Sequence, residues 1–109
     1  MSVAAFINDP INEEEDNLYI PIASENFFVS YWKPACQALD LKWIPLFNIG
    51  IDITKENLPE IISELTKLQD WAKQNLSDEK SEHIRERIEL LIRQFPSIFK
   101  RDDVSLFIG

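Results

Sequence analysis

The sequence predicts an α+β fold in which three helices pack with a small sheet of short strands. Two long segments in the second half of the chain repeat apolar residues at helical spacing, whereas the apolar runs near both ends are too short for helices. The chain contains only 2 Gly, so it offers few of the positive-φ turns that a many-stranded barrel or sandwich needs. A length of 109 residues fits a single domain, over residues 1–109, with one hydrophobic core.

Two short strands are expected near the start of the chain, over residues 3–7 and 18–22. The polar run between them, at about residues 9–17, predicts an acidic loop. Because Pro21 has no amide hydrogen to donate to a neighbouring strand, the second strand is expected at an edge of the sheet.

Two further extended segments are predicted later in the chain. Residues 42–47 are aromatic and apolar and contain Pro45, which indicates an edge strand or an extended core segment. Residues 104–108 are mostly apolar and β-branched or aromatic, which resembles a last short strand.

The first helix is predicted at about residues 24–39, where Ser24 is a suitable N-cap and Glu25 lies in the first turn. Large apolar residues recur along it at three-to-four spacing. Pro34 lies inside this segment, where it removes a backbone donor and clashes with the preceding turn. A kink or a break is therefore expected near Ser30.

The second and third helices are predicted at about residues 57–75 and 78–95. In both segments the apolar side chains follow one helix face and the charged side chains follow the other. Ser77 is the expected N-cap of the third helix, and Pro96 is expected to end it, with a further turn possible over residues 97–100. The short turn between the two helices predicts that they pack antiparallel.

The formal net charge of −8 is concentrated in the first 40 residues, which hold seven acids against one base. Residues 41–109 hold 12 acids against 10 bases. A negative field repels nucleic acid and anionic membrane surfaces and attracts basic surfaces. We therefore expect that the chain does not bind nucleic acid and that its partner is a protein with a basic surface.

The sequence also indicates a cytoplasmic protein. No apolar run approaches the roughly 20 residues needed to cross a bilayer, and residues 1–10 lack the features of a secretory signal. Cys36 is the single cysteine, which excludes an internal disulfide and fits a reducing compartment. No contact with a membrane is expected.

No motif for catalysis, cofactor binding or metal binding is present. His83 is the single histidine and is interpreted as a surface residue, since no second histidine is available for a shared metal site. The chain has neither a phosphate-binding loop nor a nucleophile elbow. We therefore expect that the protein is not an enzyme and has no cofactor and no metal ion.

The run Glu13, Glu14, Glu15 and Asp16 is the densest charge feature of the sequence. It lacks the alternating oxygen ligands and the central Gly of an EF-hand loop, which disfavours a calcium site. Two interpretations remain open for these four side chains: a solvated loop, or a negative patch that binds a basic partner.

Six large aromatic residues fall within residues 27–47, which is a high density for a chain of this size. Core packing accounts for most of them. They cover more than one helix face, however, because Tyr31 lies about 100° around the helix from Trp32. One or two of these rings could therefore lie on the surface as interface anchors, since Tyr and Trp are enriched among binding hot spots.

Four segments of the chain resemble small bacterial toxin-immunity proteins, including the immunity partners of contact-dependent growth inhibition toxins. These segments are Ser24-Glu25-Asn26-Phe27-Phe28, Tyr31-Trp32-Lys33-Pro34-Ala35, Lys42-Trp43-Ile44 and Gly50-Ile51-Asp52-Ile53-Thr54-Lys55-Glu56-Asn57-Leu58. The resemblance covers about residues 18–76. It implies a cytoplasmic protein that binds and neutralises the toxic C-terminal domain of a cognate bacterial effector, for example a nuclease domain with a basic surface. The resemblance also implies that Glu13 to Asp16 attract this domain at long range and that exposed aromatic residues such as Tyr31 or Trp43 anchor the contact.

The alternative is a small acidic adaptor or regulatory module that binds protein. Such a module could be a homodimer that associates through one of the amphipathic helices. Trp71 lies just beside the apolar stripe of the second helix, where it would either widen the face for self-association or fill a corner of the core.

Overall fold

The computed structural model describes residues 2–109 and has the predicted α+β class. A four-stranded antiparallel sheet carries the helices on one of its faces. Its strands are β1 (Ser2–Asn8), β2 (Ile20–Ser24), β3 (Ile51–Thr54) and β4 (Ser105–Ile108), in the spatial order β2-β1-β4-β3. No helix within the described residues is long and apolar enough to cross a membrane.

The first and last strands pair in the middle of the sheet. Phe6 of β1 lies opposite Phe107 of β4, and β2 and β3 occupy the two edges. The edge position predicted for the strand that contains Pro21 is confirmed. The strand predicted at the end of the chain is confirmed as well, as β4.

The helical segment that follows β2 is not a regular α-helix. It consists of α2 (Glu25–Phe27), a π-helical turn (Phe28–Trp32) and α3 (Lys33–Leu39). Pro34 has no amide hydrogen, so it cannot donate to the carbonyl of Ser30. One residue earlier, the amide of Lys33 donates to the carbonyl of Phe28, five residues before it, which is the hydrogen-bond pattern of a π-helix. The interruption that the sequence predicts near Ser30 is therefore this π turn.

The two amphipathic helices form a helical hairpin, with α4 at Leu58–Asn75 and α5 at Asp78–Ile98. Pro96 does not end the third helix at residue 95 as predicted: it lies inside the last turn of α5, which continues to Ile98 and so includes part of the further turn considered for residues 97–100. At this position Pro96 removes a single backbone hydrogen bond. Burial of Ile98 on the core side favours continuation of the turn.

The edge strand or extended core segment predicted at residues 42–47 is not formed. Residues Ile44–Leu46 form a 3₁₀ turn instead. The edge strand is β3, which begins later in the chain, at Ile51. In β3, Ile53 faces the core and Asp52 faces solvent, which is the alternation of a half-buried strand. The 3₁₀ turn is held against α4 by hydrogen bonds to the Glu64 carboxylate.

The predicted acidic loop contains one short helix, α1 (Glu13–Asp16), within residues 9–17. The Asn12 side chain caps it by accepting a hydrogen bond of 2.8 Å from the amide of Glu15. All four residues of α1 are acidic and none of them is buried, so this turn adds to the negative charge of the loop.

The core lies between the sheet and the helices, and the aromatic residues that it buries are Phe28, Trp32, Phe47, Phe95 and Phe99. Phe28 stacks against Trp32 at 5.6 Å between ring centroids and lies 6.5 Å from Phe47. All three side chains are fully buried. Trp71 packs against this core from a partly buried position, which favours the core-filling interpretation of that residue.

Candidate functional site

A groove of about 640 Å³ lies between the helical segment after β2 and the first half of α5. Its walls combine aromatic rings with carboxylates, and we call it the aromatic-acidic groove. The side chains that define it are Phe27, Tyr31, His83, Glu79, Glu82 and Glu86.

The aromatic wall is built from three rings that the core does not bury. The ring of Phe27 lies 4.8 Å from that of Tyr31 and 4.7 Å, edge to face, from the imidazole of His83. Phe28 and Trp32 occupy the core face of the same helical segment, so Phe27 and Tyr31 are directed to its flank. All three rings of the wall are partly exposed.

The acidic rim comes from one face of α5. Glu79, Glu82, His83 and Glu86 are spaced at i, i+3, i+4 and i+7, which places them on the same side of the helix. Arg85 forms ion pairs with Glu82 and Glu89, and its hydrogen bond to Glu82 lowers the pKa of that carboxyl.

Two carboxylates of the rim are not neutralised inside the protein. Within residues 2–109, neither Glu79 nor Glu86 forms an ion pair. Both side chains are exposed. The groove therefore presents uncompensated negative charge beside partly buried aromatic rings.

One cation already sits on the aromatic wall. The ammonium nitrogen of Lys80 lies 4.9 Å from the centre of the Tyr31 ring. A cation at this distance over a ring is attracted by the negative face of the π system. The contact shows that the face of Tyr31 is oriented to receive a positive group.

The groove therefore has the chemistry to bind a guanidinium or ammonium group. The flat guanidinium of Arg stacks on aromatic faces and forms paired hydrogen bonds with carboxylates. Tyr31 and Phe27 supply the faces, and Glu79 and Glu86 supply the carboxylates. A basic segment of a partner protein meets both requirements.

The structure places the predicted acidic run away from this groove, on the far end of the sheet. Glu15 pairs with Arg101 at 2.7 Å, and this contact lowers the pKa of the Glu15 carboxyl. Glu14 lies 3.7 Å from Lys100 in a more exposed pair. Glu13 and Asp16 are exposed and form no ion pair with the described part of the chain.

Trp43 lies against the start of α4 and does not line the groove. Its indole N–H donates a hydrogen bond of 2.8 Å to the Glu60 carboxylate, and its ring is partly buried. Of the two predicted aromatic anchors, Tyr31 is therefore part of the groove and Trp43 is fixed to another helix.

Glu79, Glu82, Glu86 and Phe27 were not predicted as site residues, although their spacing in the sequence indicates which way they point. The spacing of Glu79, Glu82 and Glu86 places these three side chains on one face of the third helix. Phe27 is adjacent to Phe28 and so must point away from the core face. His83 could not be connected to Phe27 from sequence, because the two residues come from different helices.

In the part of the chain that the structure describes, the groove has neither a metal centre nor a reactive thiol beside it. Within residues 2–109, no group of three or more His, Cys, Asp or Glu side chains is placed to hold a metal ion. Cys36 is buried in the core, and this burial, reinforced by the nearby Glu64 carboxylate, raises the pKa of its thiol to about 12.

Comparison with known proteins yields no relative. No family model matches the chain, and no curated protein and no solved structure matches it.

Proposed function

We propose that this chain is an immunity protein that binds and neutralises the toxic C-terminal domain of a cognate bacterial effector, and that it holds a basic segment of that domain in the aromatic-acidic groove. The binding step rests on one observation. Tyr31 and Phe27 form a partly exposed aromatic wall beside the carboxylates of Glu79 and Glu86, which have no internal ion pair among the described residues.

The recognition step exchanges one cation for another. Lys80 occupies the face of Tyr31 in the free protein. An arginine of the partner displaces this ammonium group, stacks on the Tyr31 ring and forms hydrogen bonds with Glu79 or Glu86. The flexible stem of Lys80 allows this exchange without a change in the backbone.

Long-range attraction precedes this contact. The net charge of −8, with Glu13 and Asp16 exposed, steers a basic surface towards the chain. Attraction of this kind weakens as salt screens the charges, over a distance of about 8 Å at physiological ionic strength. A nuclease-type toxin has a basic surface for nucleic acid, and binding there blocks its substrate.

The alternative is an adaptor or regulatory module that uses the same groove for a basic segment of another cytoplasmic protein. The two functions share the recognition chemistry and differ in the partner. They are therefore separated by identifying the partner, whereas the groove itself is tested by mutation.

The groove is tested with a fluorescent hexa-arginine peptide and two variants of equal net charge. Glu79→Gln with Glu86→Gln removes two carboxylates from the groove, and Glu13→Gln with Asp16→Asn removes two from α1. We expect the groove variant to weaken peptide binding at least about tenfold, because a contact ion pair is lost. The α1 variant is expected to weaken it about twofold through the long-range field alone. Equal losses in the two variants would contradict a specific groove.

The cation exchange is tested with Lys80→Met against the charge-matched control Lys73→Met on α4. Lys80→Met frees the Tyr31 ring and should tighten peptide binding several-fold more than the control. Tyr31→Ala should weaken it. If Lys80→Met and Lys73→Met behave alike, Lys80 does not compete for the ring.

The immunity function is tested by capture from the native cells at low and high salt, with the bound protein identified by mass. We expect a basic effector fragment that is lost at high salt and is not captured by the groove variant Glu79→Gln with Glu86→Gln. The fragment, expressed in a test strain, should arrest growth unless the wild-type chain is present. Recovery of only non-toxic cytoplasmic proteins would contradict the immunity function and support the adaptor function.

A further inference from the structure

Two carboxylates of the aromatic-acidic groove lie at a fixed separation along α5. Glu79 and Glu86 both line the groove, are exposed and form no ion pair within residues 2–109. They are seven residues apart on one continuous helix. At a rise of about 1.5 Å per residue, their points of attachment are about 10.5 Å apart along the helix axis. They also lie within about 20° of each other around that axis, so they share one face.

The aromatic wall lies between these two carboxylates. The Tyr31 ring receives the ammonium group of Lys80, and the Phe27 ring contacts the imidazole of His83. Both contact points on α5 fall within the interval from residue 79 to residue 86. The groove therefore presents three features in a row along α5: a carboxylate, a pair of rings whose face accepts a cation, and a second carboxylate.

This row has a boundary just beyond Glu86. Arg87 is the next residue of α5, and it lines the neighbouring cleft beside β2 and not the groove itself. Within residues 2–109, Arg87 forms no ion pair. Its guanidinium repels a cation that extends past Glu86 towards β2. A basic segment in the groove is therefore expected to place its positive charges along about two turns of α5.

We infer that the basic segment held in the groove is a helix that carries cations at i, i+3 or i+4, and i+7 on one face. This inference rests on the proposed binding of a basic partner segment and specifies its conformation. A partner helix that lies along α5 has the same rise, so its residues i and i+7 are also about 10.5 Å apart and share a face. The terminal cations then meet Glu79 and Glu86, and the cation at i+3 or i+4 falls on the rings.

An extended segment fits this spacing less well. Side chains on one face of a strand belong to every second residue, so at about 3.3 Å per residue they are about 6.6 Å or about 13 Å apart. Neither distance matches the spacing of the two carboxylates. Arginine side chains would have to make up a difference of about 3–4 Å, which costs rotamer freedom and the alignment of paired hydrogen bonds.

The test compares three Ala-rich peptides of about 16 residues, a length at which an isolated helix becomes marginally stable. The first carries arginine at i, i+4 and i+7. The second has the same composition, with arginine at i, i+2 and i+4, which is the spacing of a strand face. The third keeps the arginine positions of the first and has one central proline, which breaks the helix. We expect the first peptide to bind at least about tenfold more tightly than the other two, because only it aligns three cations with the groove.

Two variants of equal net charge show whether this preference comes from the groove. Glu79→Gln with Glu86→Gln should remove the preference for the first peptide. Glu13→Gln with Asp16→Asn, on α1, should weaken all three peptides to the same small extent and keep the preference. Loss of the preference in both variants would overturn the inference.

A double-mutant cycle then locates each cation. Replacing one terminal arginine of the first peptide by alanine should couple to Glu79→Gln, and replacing the other should couple to Glu86→Gln. A bound helix predicts this one-to-one pattern. Coupling of both arginines to the same carboxylate would overturn it.

The outcomes separate this inference from the proposed function. Equal affinity for the three peptides overturns the helical conformation. If hexa-arginine still binds the wild type more tightly than the groove variant under those conditions, the groove itself stands. If no peptide, hexa-arginine included, distinguishes the groove variant from the α1 variant, the groove fails and the inference fails with it.

Discussion

The backbone amide of Trp43 donates a hydrogen bond of 3.0 Å to the carboxylate of Glu64, 21 residues later in the chain. The same carboxylate accepts hydrogen bonds from the amides of Lys42, at 2.9 Å, and Ile44, at 3.1 Å. Amides at the start of a helical turn have no partner within the turn, so they need an acceptor from elsewhere. Glu64 thereby fixes the turn onto α4.

Glu64→Ala is expected to lower the free energy of unfolding by about 2 kcal/mol, because it leaves three amides without their charged acceptor. Glu64→Gln should cost less, since the amide oxygen still accepts. Urea unfolding measures both. Glu56→Ala, at an exposed position just before α4, is the control and should change stability by less than about 0.5 kcal/mol. A similar loss in the two alanine variants would show that Glu64 has no capping role.

Gly50→Ala is expected to destabilise the protein by about 2 kcal/mol. Gly50 has φ +115°, a conformation that other residues rarely adopt, and its added methyl group would press on the ring of Phe107. Thermal unfolding should show a lower Tm than for Ser63→Ala, an exposed helical control. An unchanged Tm would mean that neither the backbone nor the ring constrains this position.

Cys36 is expected to be unreactive in the folded protein. With the pKa of its thiol raised to about 12 by burial, the thiolate fraction at pH 8 is about a thousandfold below that of a free cysteine. Labelling with a thiol reagent should therefore be slow in buffer and fast in urea. Rapid labelling of the folded protein at pH 8 would contradict the burial of this side chain.

The pair Glu15 and Arg101 predicts a pH dependence of stability. The hydrogen bond from Arg101 lowers the pKa of Glu15, so the folded state holds this proton less tightly than the unfolded chain does. The added stability is present above about pH 4.3, the ordinary Glu value, and is lost as the pH falls through the lowered pKa of Glu15.

Glu15→Gln measures this contribution. Its Tm should be below that of the wild type at pH 7, and the gap should close as the solution is acidified. Glu14→Gln removes the longer, exposed contact with Lys100 and should leave the Tm at pH 7 nearly unchanged. A gap of constant size from pH 7 to pH 3 would assign the effect to packing.

The helices were predictable because their information is local. The apolar stripes of α4 and α5 and the cap at Ser77 lie within the segments that they define. The break at Pro34 is local in the same sense. The end of α5 was predicted too early because burial of Ile98 outweighs the hydrogen bond that Pro96 removes.

Other features depend on residues that are distant in sequence. The composition of the segment after Trp43 is typical of a strand, but its amides donate to the carboxylate of Glu64, which is distant in sequence and favours a turn. Arg101 pairs with Glu15 across 86 positions, so no spacing rule connects them. In the groove, Tyr31 was predicted from its position on the helix, whereas its neighbours on α5 are known only from the packing of the two segments.

The strand order has a consequence for how the chain acquires its structure. β4 is the last strand in sequence, yet it lies between β1 and β3, and within the described sheet β3 pairs with it alone. During synthesis, β1 and β2 can form a hairpin and α4 and α5 can associate, but the sheet stays open until β4 has left the ribosome. Contacts between residues so far apart in sequence form slowly. We therefore expect the nascent chain to remain incompletely folded, with the apolar side of β1 partly exposed, until β4 pairs with β1 and β3.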